Sequence, residues 1–146
     1  MNRPKQITSQ ELLDDLLRFV AQKFYADDPR AFAQDRTRLL KWVILWPAGW
    51  FNSRGVSIPG ERYKQIFTEI MLNAVRHGNT SRIAYRPAWL KMVIQSHFRV
   101  HGEEYYAEAK SARSLAENAL LLAGRSVAAS QPDPVSDLAR AASLLT

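Results

Sequence analysis

Lys91, Gln95 and Arg99 stand four residues apart, so on a helix they form one column of two cations and an amide, about 6 Å per step. They belong to a stretch with an unusual charge. Residues 36–101 carry eleven basic side chains against Glu61 and Glu69, a net of +9, whereas residues 1–35 sum to −1 and residues 102–146 to −2. All four tryptophans, Trp42, Trp46, Trp50 and Trp89, fall in the same stretch, with Phe51, Tyr63, Phe67, Tyr85 and Phe98. Cations attract a phosphate backbone and rings stack on bases, so interleaving the two is the chemistry of nucleic-acid binding. The expected phosphate contacts are Arg54, Arg62, Arg76, Arg82, Arg86, Lys91 and Arg99, and the expected stacking residues are Tyr85 and Trp89, which flank Arg86. Such a site requires these groups to fold into one contiguous face, free of carboxylates from the two acidic ends. Arg outnumbers Lys by 14 to 6, the direction that bidentate phosphate contact favours.

Other chemistries have less to work with. If a helix runs unbroken past Gly102, His97 and His101 sit one turn apart with Glu104 on the same side, a set that could offer two nitrogens and an oxygen to a divalent metal. Against a metal stand the glycine between the ligands and the lack of a short metallohydrolase motif; histidines flanking an arginine on a basic helix are ordinary polar-face residues. The chain has no Cys, which removes thiolate mechanisms and Cys-ligated metals. No Gly-x-Ser-x-Gly occurs, and Gly55-Val56-Ser57-Ile58-Pro59-Gly60 lacks the Lys-Ser/Thr ending of a phosphate-cradling loop. The expectation is a protein that is not an enzyme and uses no cofactor.

The run Leu39–Phe51 is strongly apolar, holds three tryptophans and is bounded by Arg36, Arg38 and Arg54. It is too short to span a bilayer. A buried helix ending in an aromatic corner is the plainest account, and an interfacial membrane segment or a hydrophobic partner surface are the others. The partner surface gives a second function class: an adaptor in which a Trp50-Phe51 loop and the C-terminal helix dock onto an acidic protein.

The positioning elements are helical by period. Thr8 and Glu11 suit a capping box, followed by apolar Leu12, Leu13, Leu16, Leu17, Val20 and Phe24, which gives a helix over about 9–25. Asp28-Pro29 starts a second helix expected to run to Pro47, a breaker, with a loop over residues 47–58. Pro59-Gly60-Glu61 opens a third, with Tyr63, Ile66, Phe67, Ile70, Met71, Ala74 and Val75 on one face and a stop at Arg76-His77-Gly78. A fourth starts at Pro87, Gly102 marks a kink or break, and a fifth spans about 103–123. The connection from Gly78 to Arg86 is nine residues, too long for a standard helix-turn-helix.

The 146 residues suit an all-α single domain of about five helices over 1–124, a Pro-containing linker over 125–134 and a short C-terminal helix over 135–146 that docks on its own domain. The N-terminal segment carries Glu11, Asp14 and Asp15 and no uninterrupted apolar core, so a cytoplasmic location is expected and no membrane partner. Short, basic, Cys-free helical chains of this kind resemble in general character the accessory subunits of nucleic-acid machines, of phage, plasmid or RNA-guided type. The resemblance implies a small subunit that meets nucleic acid (DNA or RNA) and other protein subunits.

Overall fold

The computed structural model describes residues 7–77, 85–122 and 133–144. Helix α1 (Ser9–Phe24) begins where the Thr8 hydroxyl accepts the Glu11 N–H at 3.1 Å. Helix α2 (Pro29–Leu39) begins where Asp28 accepts the Ala31 N–H at 3.0 Å, with Pro29 in the first turn, where no N–H is needed. Helix α4 (Gly60–His77) buries Tyr63, Ile66, Phe67, Ile70, Met71 and Ala74 of the expected stripe, while Val75 is 39% exposed. These starts and stripes agree with the sequence.

The segment after α2 differs. A π-helical turn (Leu40–Ile44) follows it directly, and a further helix, α3 (Trp46–Ser53), occupies much of the stretch expected to be loop. Pro47 lies in the first turn of α3, so its missing N–H costs nothing there. In a continuous helix the Ile44 carbonyl would accept the Ala48 N–H. Instead the buried Tyr63 hydroxyl stands between them, accepting from Ala48 N–H at 3.1 Å and donating to the Ile44 carbonyl at 2.5 Å. A side chain from α4 thus satisfies the two backbone groups that the bend sets free. The loop proper begins at Gly55, whose φ of 70° ends α3 with paired bonds from Gly55 N–H to Asn52 O and from Val56 N–H to Phe51 O.

Gly102 does not break its helix: α5 (Arg86–Leu122) is one element of 37 residues. A Cβ at Gly102 would lie 2.7 Å from Cζ2 of Trp50, so the glycine is there to admit an indole against the helix backbone.

Helix α6 (Pro134–Ser143) starts at Asp133, which accepts the Val135 and Ser136 N–H groups and the Ser57 hydroxyl, the last at 2.8 Å. It packs on α3, α1 and α4 and buries Val135, Leu138 and Ala139. The fold is an all-α single domain whose core is drawn from every helix. The expected linker up to residue 132 and the connection up to residue 84 lie outside the described residues. Among the described residues no helix is long and apolar enough to cross a membrane.

Candidate nucleic-acid interface

The π turn and α3 carry Trp42, Trp46 and Trp50 along one side, each half-buried. Across from them runs the α5 column of Lys91, Gln95 and Arg99. Two concavities lie between these rows. One, of about 670 Å³, is lined by residues that include Lys41, Trp42, Trp46, Trp50, Arg54, Lys91 and Gln95. The other, of about 780 Å³, is lined by residues that include Trp46, Trp50, Arg54, Gln95, Arg99, Glu103 and Tyr106. They share Trp46, Trp50, Arg54 and Gln95 and so form one groove, in which Glu103 is the carboxylate among the described lining residues.

The rings are held from below. Phe98 is buried in the core and meets Trp46 and Trp50 with ring centroids 5.5 and 5.1 Å away, while Trp50 also meets the edge of Phe51 at 5.1 Å. Cations cover the outer faces. Arg54 Cζ is 3.8 Å from the Trp50 ring centre and Lys91 Nζ is 4.9 Å from that of Trp42. At the Trp42 end, Tyr85 stands edge-on at 6.3 Å and carries Arg38 at 5.8 Å.

The eleven cations of residues 36–101 therefore do not form one face. Arg54, Lys91 and Arg99 meet in the groove, with Tyr85 at its end. Arg62 is turned to Glu108 by two bonds of 2.8 and 2.9 Å, and this raises the guanidinium pKa further. Lys64 pairs with Asp15 at 2.9 Å, so carboxylates from both acidic ends engage members of the belt. Arg76 is on the outer face of α4 with Glu61 and Glu69, away from the groove. Arg86 lies over the Tyr25 ring at 4.7 Å, and Trp89 packs edge-on against Phe24 at 6.2 Å in the α1–α5 seam. Arg82 lies outside the described residues. Phe51, expected in a partner-binding loop, is 1% exposed within α3, and the apolar face of α6 is spent on its own domain.

Trp42, Trp46 and Lys41 were not singled out by the sequence as site residues. The signal was the four-residue spacing of Trp42, Trp46 and Trp50, which matches that of Lys91, Gln95 and Arg99 and sets one row against the other.

His97, His101 and Glu104 lie on a different side of α5. His97 Nε2 is hydrogen-bonded to the Tyr105 hydroxyl at 2.7 Å, and His101 Nδ1 is 3.8 Å from Glu104. Among the described residues no group of three His, Cys, Asp or Glu is placed to hold a metal. Burial, and then the neighbouring His101, hold the His97 pKa below its ordinary value of 6.5. The unfolded chain then takes up a proton before the folded one does, so stability rises with pH below 6.5 until His97 is neutral in both states. The melting temperature should fall between about pH 7 and pH 5, and His97→Gln should flatten that fall. An equally steep fall in the variant assigns the dependence to other groups.

Gly102→Ala sets two effects against each other. Alanine gains about 1 kcal/mol of helix propensity, and its methyl must push the Trp50 indole outward at about 1–3 kcal/mol. The expected result is a loss of about 1 kcal/mol with red-shifted tryptophan emission. A stabilised variant with unchanged emission would mean that the indole does not rest on this helix.

Comparison of the chain with protein-family models, with curated proteins and with solved structures gave no match.

Proposed function

We propose that the protein binds nucleic acid in the groove between α5 and the π turn with α3, acting in the cytoplasm as a non-enzymatic small subunit or accessory factor of a larger nucleic-acid-handling complex. The observation that carries this is the pairing of two rows, Trp42, Trp46 and Trp50 against Lys91, Gln95 and Arg99, with Arg54 between them and Glu103 at one end. Among the described residues Arg54, Lys91 and Arg99 have no carboxylate partner of the kind that occupies Arg62 and Lys64, which supports a charge available to displace counterions from a polyanion. A role within an assembly is supported by the far end of α5. Ala109 is its last buried position among the described residues, and Leu115, Leu121 and Leu122 beyond it are 71, 69 and 91% exposed.

The test is a titration of labelled single- and double-stranded DNA and RNA at several salt concentrations. Replacing Arg54, Lys91 and Arg99 together by alanine should weaken binding to every sequence and lower the slope of log K against log salt by about 2–3. Replacing Arg62 and Arg76 should change it far less. An unchanged slope in the triple variant removes the groove as the binding site.

A further inference from the structure

We infer that the groove takes a single strand, with bases stacked on its tryptophans, rather than a duplex. This rests on the nucleic-acid reading above and adds the form of the ligand.

Phosphate contact alone would need only cations, and a duplex keeps its bases stacked on one another with their faces out of reach. Three half-buried indoles in one wall, packed on the core from one side, would meet no base face in that setting. A single strand can turn each base outward onto a ring. Spacing points the same way. Residues four apart on a helix rise about 6 Å, whereas successive nucleotides of a stacked strand are about 3.4 Å apart. Rings placed as Trp46 and Trp50, four apart on α3, are therefore too far apart to meet neighbouring bases that remain stacked, and they suit a strand drawn out along the groove.

The cations are placed to make the exchange. Lys91 covers Trp42 at 4.9 Å and Arg54 covers Trp50 at 3.8 Å, each occupying a ring face where a base would lie. A cation over a ring open to water is a weaker partner than a stacked base. When a base arrives, Lys91 or Arg54 leaves the ring and reaches the phosphate beside that base, so one movement opens the stacking face and supplies the counter-charge. Arg99, exposed on the same α5 column, adds a backbone contact. Trp46 and Trp50 themselves need little rearrangement, because Phe98 lies against both and the bare backbone at Gly102 against Trp50.

The experiment uses the full chain with Trp89→Phe to remove the tryptophan outside the groove, and probes of one length within about 8–16 nucleotides. The probes are single-stranded DNA, single-stranded RNA, the same DNA as a duplex, and an abasic strand with the same phosphates. Single strands should quench the indole emission and bind at least about tenfold more tightly than the duplex or the abasic strand. Trp42→Leu, at the Tyr85 end of the groove, should weaken single strands about tenfold and leave the duplex and abasic strand unchanged. Equal binding of all probes without quenching overturns the single-strand inference and leaves nucleic-acid binding standing. Binding of none of them overturns both.

Discussion

Phenylalanine in place of Tyr63 is expected to cost the fold about 2–4 kcal/mol, for the loss of one oxygen atom. That oxygen is fully buried and serves two backbone groups at once, the Ala48 N–H and the Ile44 carbonyl. Leaving one such group without a partner costs about 1–3 kcal/mol, and both Ile44 and Ala48 are fully buried. Some of the loss can be recovered if the two groups close on each other as in an ordinary helix, but that requires straightening the bend between the π turn and α3 and shifting Trp42 relative to Trp46 and Trp50. The variant should show a lower midpoint in urea with an unchanged slope. A loss below about 1 kcal/mol would mean that the bend holds without the hydroxyl.

Phe98→Ala is expected to cost about 3–5 kcal/mol. The ring is 3% exposed and touches Trp46, Trp50, Phe51 and Tyr105 at centroid distances of 5.1–5.9 Å, so it joins the core to the groove wall. Its removal leaves a cavity under two indoles that water can approach from the groove side. Because whole domains are stable by about 5–15 kcal/mol, the variant should unfold at markedly lower temperature and show altered tryptophan emission before it melts. Phe98→Leu should recover part of the loss. A loss under about 2 kcal/mol for the alanine variant would show that Trp46 and Trp50 collapse into the space.

Most of the helices were legible because their causes are local. Thr8, Asp28 and Asp133 cap the helices that follow them, and the stripe from Tyr63 to Ala74 repeats at the helical period. Pro47 and Gly102 misled for the same reason as each other: both are breakers by local rule, and both are explained by a residue distant in sequence. Tyr63 completes the bend at Pro47, and Trp50 requires the missing Cβ at Gly102.

The site was half legible. The Lys91, Gln95 and Arg99 column needs only a helix, and it is there. Which cations share a face depends on how helices pack, so Arg62 and Lys64, in the same charged stretch, end in ion pairs on α4. Trp42 and Trp46 looked like core because half-buried rings obey the same spacing as buried ones, and one edge of each does serve the core.

Helix α5 has one further consequence. Its thirteen residues after Ala109 span about 20 Å, and they continue without interruption from the column that lines the groove. Under the proposed role in an assembly, a subunit that gripped that far end would hold the groove at a fixed offset and azimuth, as a handle holds a blade. Inserting a single residue just beyond Ala109 would advance the handle by only about 1.5 Å yet turn it by about 100°, so alignment would be lost long before reach.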